Sequence, residues 1–302
     1  MNPTVVFYDP SFPYAGERPD AEALAQLRER YIVADALSLA EALQSADAYV
    51  HLHGPYFPKA AWLAILAHAR EGKGLLSVGG APFRIPVAEN QGRWVAEPEQ
   101  TGYHQQLQIH EALPVDPAPI ASLAASREVP QFEGRERLFT IEPTYGVVLH
   151  VTKADDQPGQ LGSSGPMDAR LYPLLKGISG CGLEREVAAP AVLLENTKGE
   201  FAGGRWIFIN QVIRERFWQQ GGAEAIGEWA EFTSAGVTEF WLKPNYASYE
   251  PGDRAVLTLQ GQRLGAKRGE TLDWTYTVRL YKAVQTEVQQ AVPGDFQLPG
   301  PL

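Results

Sequence analysis

The chain is short of cysteine, of positive charge and of long apolar runs. One thiol, Cys181, in 302 residues rules out an intrachain disulfide. The cytosol, where thiols stay reduced, is therefore the expected compartment. Twenty-six Lys and Arg against 36 Asp and Glu leave a net charge of −10. A surface of that sign repels phosphate backbones and anionic headgroups, so neither nucleic acid nor a membrane is an expected partner. No run approaches the roughly 18 apolar residues of a spanning helix. The start, Met1-Asn2-Pro3-Thr4-Val5, has no basic region or long apolar segment; it reads as a strand, not a signal peptide. No metal-ligand motif is found, and no cofactor is expected. A last absence is local. Residues 74–83, Gly-Leu-Leu-Ser-Val-Gly-Gly-Ala-Pro-Phe, read as a buried strand turning sharply. A nucleophile elbow would carry Ser or Cys at that turn, and here it offers Gly79 and Gly80.

What is present is an alternation of strands and helices. Hydrophobic residues make up 44% of the chain, enough to fill a sizeable core. Thr4–Tyr8 is a short β-rich run, and residues 21–31 place Leu24, Leu27 and Tyr31 at helical spacing with Asp20 as N-cap. Strands near Ile32–Leu37, Ala48–Leu52 and Gly74–Val78 alternate with helices at Leu39–Ser45 and Pro58–Glu71. Such alternation implies a parallel sheet covered on both faces, a doubly wound flavodoxin-like α/β fold with right-handed crossovers. Residues 84–136 are polar and Pro-rich and read as an insertion with a short helix and long loops. Strands are expected at Leu138–Ile141, Gly146–Thr152, Pro190–Leu194 and Arg205–Asn210, with a flexible loop over 153–170. Asn196-Thr197-Lys198-Gly199 suits a hairpin turn, and a helix is expected from Ala223 to Ser234.

After Gly236 the apolar period becomes two. Phe240 and Leu242, Val256–Leu259, and Trp274, Tyr276, Val278 and Leu280 mark strands of a β-sandwich of immunoglobulin-like type. The expected domains are thus 1–236, α/β, and 237–302, β-sandwich ending in a linker. The second is shorter than the roughly 100 residues of a complete immunoglobulin-like domain. The sandwich is either small or continued beyond Leu302.

Two stretches carry a family resemblance. Ala46-Asp47-Ala48-Tyr49-Val50-His51-Leu52-His53-Gly54 and Gly72-Lys73-Gly74-Leu75-Leu76-Ser77-Val78-Gly79-Gly80, joined by the helix between them, resemble the amidotransferase-like superfamily of flavodoxin-like domains. Active members carry Gly-hydrophobic-Cys-Gly-Gly at the second stretch, and Gly79 falls where the Cys would be. The usual His-x-Glu late in the domain is also missing; the matching region reads Ile209-Asn210-Gln211-Val212-Ile213-Arg214-Glu215. The resemblance therefore implies the fold without the Cys chemistry. Nucleophile-free relatives include the trimerisation domain of some bacterial β-galactosidases and trehalose-utilisation-type domains. By that analogy the chain is expected to be a non-catalytic accessory, assembly or glycan-binding module of carbohydrate metabolism, part of a larger glycoside hydrolase. The expected partners are a carbohydrate, a second copy of the chain or an adjacent catalytic domain. The alternatives are a hydrolase of the same superfamily centred on Asp9 and His53, and a stand-alone sugar-binding protein.

In an open α/β sheet, ligands sit beyond the carboxyl ends of the strands. Asp9, Phe12 and Tyr14, then His53 and Tyr56, then Gly79, Gly80 and Phe83, and finally Asn210, Gln211, Arg214 and Glu215 are delivered there. Aromatic faces with amides and an acid would suit a sugar; turn-forming residues give the simpler reading. His51 and His53 share a strand face, and a metal would need Asp9 or His104 as a third ligand. Cys181, between two glycines, reads as a structural thiol. Glu142 and Glu195 lie near strand ends, where a carboxylate pair would serve glycoside hydrolysis if brought into one cleft. The dense aromatic set Trp206, Phe208, Phe217, Trp218, Trp229, Phe232, Phe240 and Trp241 reads as core and interdomain seam.

Overall fold

The computed structural model describes residues 3–149, 168–180, 182, 184–248 and 256–265, with strand segments at 277–278, 281–283, 289–291 and 296–297. Two compact units are present: Met1–Val237 with Leu264–Lys267, and Thr238–Arg263 with Arg268–Leu302.

The first unit begins β1 (Thr4–Phe7), α1 (Ala21–Arg30), β2 (Ile32–Ala34), α2 (Leu39–Ala42), β3 (Ala48–His51), β4 (Tyr56–Pro58), α3 (Trp62–Arg70), β5 (Gly74–Val78). It continues through β6 (Ile85–Asn90), β7 (Arg93–Ala96), α4 (Gly102–Gln105), β8 (Ile109–Val115), β9 (Ile120–Ala125) and β10 (Thr144–Leu149). It closes with β11 (Ala169–Ser179), β12 (Glu186–Asn196), β13 (Arg205–Ile209), α5 (Glu215–Gln219) and α6 (Gly222–Ser234).

The central sheet has the order β2-β1-β3-β5-β13-β12-β11-β9. The first five strands are parallel, with Val5 opposite Ile32, Val6 opposite Val50, Tyr49 opposite Leu75 and Leu76 opposite Ile207. In chain order they run 2-1-3-4-5, the flavodoxin-like sequence of strands, whose switch point lies between β1 and β3. The last three strands are antiparallel additions. Strands flanked on both faces must be apolar throughout, and Val5, Val6, Phe7, Val50, Leu76 and Val78 are fully buried.

Alternate side chains feed two cores. One holds Phe7, Tyr49, Leu75 and Phe208 against α2 and α3; the other holds Val6, Val50, Leu76 and Ile207 against α1 and α6. Asp20 caps α1, its Oδ1 accepting from the Ala23 N–H at 2.8 Å, and the helix buries Ala23 and Leu27. On the α6 side the antiparallel strands are covered by a strap that opens with the 3-10 turn Pro130–Phe132. Its Phe132 lies parallel on Trp229, with centroids 4.2 Å apart, and the Trp229 indole donates to the Gln131 carbonyl at 3.0 Å. Arg135 pins the strap to Glu228 on α6.

The structure corrects several expectations. Residues 84–136 hold four strands, and β9 among them joins the central sheet. Strand structure starts at Thr144, not Leu138, because Glu136–Leu138 forms a 3-10 turn that buries Leu138 and Phe139 beneath the strap. Residues 169–170, assigned to a loop by composition, open the eleven-residue β11; positions 150–167 lie outside the described residues. The hairpin between β12 and β13 is present, with Glu195 opposite Arg205.

The second unit holds β14 (Thr238–Pro244), β15 (Leu257–Arg263), β16 (Thr277–Val278), β17 (Tyr281–Ala283), β18 (Gln289–Ala291) and β19 (Phe296–Gln297). They pair as antiparallel ribbons β14–β15, β16–β19 and β17–β18. A second layer packed face to face is not among the described residues. Phe240 and Leu242, expected in a sandwich core, are exposed. Trp206, Phe208, Phe217, Trp218 and Trp229 are core residues of the first unit.

The strap makes a test. Phe132→Ala removes a fully buried ring and should cost about 3–5 kcal/mol in urea unfolding. Arg135→Ala, which removes only partly exposed ion pairs, should cost less than about 1 kcal/mol. Equal losses would show that charge, not ring stacking, holds the strap.

Candidate functional site

The switch point between β1 and β3 gathers the residues expected there, and the chain's own loop covers them. His53 sits among the rings of Phe7, Phe12 and Tyr14, with centroids 4.5, 5.3 and 4.9 Å away. Its Nε2 accepts from the Asp9 backbone N–H at 3.0 Å, so the ring proton is on Nδ1, which donates to the Pro13 carbonyl at 2.8 Å. His51 is held in the opposite tautomer: Nε2 donates to the Gly54 carbonyl at 3.0 Å and Nδ1 accepts from the Tyr49 hydroxyl at 2.8 Å. Burial pushes both imidazoles down to about 3, with His53 adding to the effect on His51. Both are neutral, and every ring nitrogen is used.

Asp9 is equally committed. Its Oδ1 accepts from the Ser11 N–H at 2.8 Å and the Ser11 hydroxyl at 2.6 Å, and Oδ2 accepts from the Ala36 N–H at 3.4 Å. The carboxylate thus closes an Asx turn after β1 and ties it to the end of β2. The 9–18 loop then folds over the strand ends. Arg18 donates to the Phe12 carbonyl at 2.8 Å and lies 4.8 Å above the Tyr14 ring. The Glu17 N–H donates to the Ile213 carbonyl, and the Trp218 indole to the Glu17 carbonyl. Burial raises the Tyr14 phenol above its ordinary range.

The turn after β5 explains its glycines. Gly79 and Gly80 have φ of +112° and +133°, and both amides donate to the Ile209 carbonyl, at 3.0 and 3.2 Å. A Cβ on Gly79 would stand 3.1 Å from the Gly54 Cα. No helix follows; the chain runs through buried Phe83 into β6. An elbow needs a helix amino end and free amides, and this turn has neither.

Asp9, Phe12, His53, Gly79, Gly80, Phe83, Asn210 and Gln211 are therefore brought together and buried. Tyr14 and Tyr56 are partly exposed. The Asn210 amide is fully buried with neither polar atom hydrogen-bonded, while its backbone carbonyl accepts from the Tyr145 N–H and the Thr144 hydroxyl. Arg214 and Glu215 stand outside, Glu215 opening α5. Arg214 pairs with Glu142 at 2.6 Å, a bond that holds the carboxyl below its usual range and the guanidinium above its own.

The other constellations do not assemble. Glu195 pairs with Arg205 at the amino end of β13, whereas Glu142 and its Arg214 lie beyond the carboxyl end. Each carboxylate has its own arginine. His104 is buried on α4 with both ring nitrogens unpartnered. Among the described residues no group of three His, Cys, Asp or Glu could hold a metal ion. Cys181 lies outside the described residues. Among them, no helix is long and apolar enough to cross a membrane.

An open site exists beside the closed one, and the sequence reading missed it. A groove of about 440 Å³ is lined by Ala36, Leu37, Lys59, Val87, Glu89 and Trp94, among others. It lies at the carboxyl end of β2, against the β4-β6-β7 sheet. Glu89 and Trp94 are directly opposed across β6 and β7, so they share one face. The two-residue loop Gln91-Gly92, with φ of +52° and +76°, is the available signal: two positive φ values make the primed turn that closes a tight hairpin. A larger opening of about 910 Å³, with Thr4, Tyr31 and Ile32 in its wall, lies at the amino ends of β1 and β2. That is the opposite end from the ligand-bearing loops of α/β sheets.

No family model and no curated protein matches the chain. Similar solved structures include a domain described as the mmIFT52 N-terminal domain, 11% identical with a TM-score of 0.41, covering 77% of this chain and 97% of that one. They also include two further proteins. One, from Thermoplasma acidophilum, is provisionally described as part of a GMP synthase: 10% identity, TM-score 0.36, covering 78% and 96%. The other, from Bacteroides uniformis, is provisionally described as ThuA-like: 11%, 0.34, covering 77% and 91%. At these values the likeness extends to neither activity nor ligand.

The buried imidazoles set a pH dependence. Unfolded, each histidine takes up a proton near pH 6.5; folded, His51 and His53 resist to about 3 and His68 to about 4. Between those values the unfolded chain binds more protons, so stability falls as pH drops below about 6.5, by up to about 1.4 kcal/mol per pH unit for each group. Urea midpoints should fall steadily from about pH 7 to about pH 5, and His53→Gln should flatten the slope by about one proton's worth. A flat profile would contradict the neutral, buried assignment.

Proposed function

We propose that the chain is a non-catalytic binding and assembly module of carbohydrate metabolism, an accessory to a glycoside hydrolase. The observation that carries the non-catalytic half is the state of the strand-end imidazoles. His51 and His53 use both ring nitrogens in hydrogen bonds to the backbone and Tyr49, so neither has a lone pair for a nucleophile's proton. The turn beside them offers no attacking atom, and its amides are spent on Ile209. A hydrolase centred on Asp9 and His53 would have to break the bonds that hold the 9–18 loop.

The carbohydrate half is supported by an acidic chain whose open groove pairs an indole with a carboxylate, a combination suited to neutral polyols. The assembly half is supported by large apolar side chains left outside, among them Leu63 on α3 and Leu113 on β8.

Ester, amide and glycoside panels assayed with wild type and Asp9→Asn, together with light scattering on the eluting peak, test the reading. No turnover and an oligomer of defined mass are expected. Turnover abolished by Asp9→Asn overturns the non-catalytic half. A monomer at micromolar concentration overturns the assembly half.

A further inference from the structure

The groove beside the sealed strand ends is built for a particular ligand shape. Its platform, Trp94, is held from beneath by Phe12, whose ring centroid is 5.2 Å away at 60°. Phe12 is itself wedged edge-on against Phe7 and His53. The indole is therefore fixed before any ligand arrives, and fixing it in advance lowers the ordering cost of binding. Its N–H makes no hydrogen bond among the described residues. Glu89 stands beside it on the same ribbon face, exposed, its carboxylate likewise without a hydrogen bond among those residues. The remaining wall is apolar: Val87 at the base, Leu37 and Ala36 on the α2 side.

Charge narrows the ligand further. Lys59, the cation at the rim, is bound by both oxygens of Glu97, at 2.6 and 2.9 Å. That leaves Glu89 as the uncompensated charge of the groove, on a chain of net charge −10. Phosphates and carboxylates are repelled. A flat apolar face beside a free acceptor and a free donor fits a molecule with a C–H face and a hydroxyl edge.

We propose that this groove binds a neutral pyranoside, its C–H face stacked on Trp94 and its hydroxyls bonded to Glu89. The proposal rests on the glycan-binding reading above and assigns that reading a site away from the buried switch point. The groove's volume lies within the usual range for small-molecule sites.

The test is calorimetry and tryptophan fluorescence on the full chain with methyl pyranosides and disaccharides in the millimolar range. Wild type should bind. Trp94→Ala should weaken binding at least about tenfold, the loss of roughly one aromatic stacking contact. Trp94→Phe should retain most of the affinity, and Glu89→Gln should lower it several-fold. Because Trp94 also packs on Phe12, a second variant guards against misfolding: Leu37→Glu, at a side chain 73% exposed, should fold normally and block the groove. Sugar binding unchanged by Trp94→Ala and Leu37→Glu overturns this site and leaves the glycan reading standing. Absence of sugar binding by wild type overturns both. Trp94-dependent binding of tetramethylammonium in place of sugar overturns the proposal in favour of a cation held by the ring face and Glu89.

Discussion

Two uncharged imidazoles buried at the crest of the parallel sheet hold the strand-end loops in place. His51 clamps the Gly54 carbonyl, and His53 joins the Asp9 amide to the Pro13 carbonyl. Through these bonds the loops after β1 and β3 are fixed to one another across the switch point. Neutrality is the condition: an imidazolium at His53 could not accept from the Asp9 N–H, and a second charge at His51 would lie 6.4 Å away in a site without water-like screening. Burial supplies that condition by disfavouring the charged form of both rings.

Once the loops are clamped, the crevice typical of such sheets has no room. Ala15 presses against Gly54, leaving no space for a Cβ there, and the backbone of Gly54 lies against Gly79. Glycines at these two positions therefore serve backbone-to-backbone packing, which is a sufficient reason for a turn without a nucleophile. The seal has a cost. The buried Asn210 amide goes without partners, worth about 1–3 kcal/mol of lost hydration. The residue's backbone offsets part of this by binding Thr144 and Tyr145 on one side and the Pro190 carbonyl on the other, which joins β10 and β12 to the end of β13.

The parallel half of the fold was legible because its signals are local. β1, β3 and β5 are short apolar runs, the intervening helices have one apolar face, and Asp20 caps α1 as expected. The antiparallel half was hidden because its strands carry residues that read as breakers. β11 contains Pro173 and Gly177, each at a shift in register, and β9 is mostly alanine and serine. Such strands exist only because neighbours pair with them. The candidate site shows the same division. The strand-end rule gathered Asp9, Phe12, His53, Gly79 and Asn210 correctly in space. Their burial depends on contacts such as Trp218 with Glu17, 201 residues apart, which no local pattern encodes.

Sealing the crest and opening the groove are one packing event. Phe12 leaves the strand end to cover His53, and its other side becomes the support for Trp94. The hairpin that presents Trp94 is anchored in turn by β4, whose Tyr56 pairs with Ile85 immediately after the His53 loop. An open crevice would need the 9–18 loop to lift, which would withdraw Phe12 and leave the indole unsupported. The insertion after β5 is thus the partner of the closed switch point. With the inner position filled by the chain's own rings, an aromatic surface is left open beside it, held up from below by those rings.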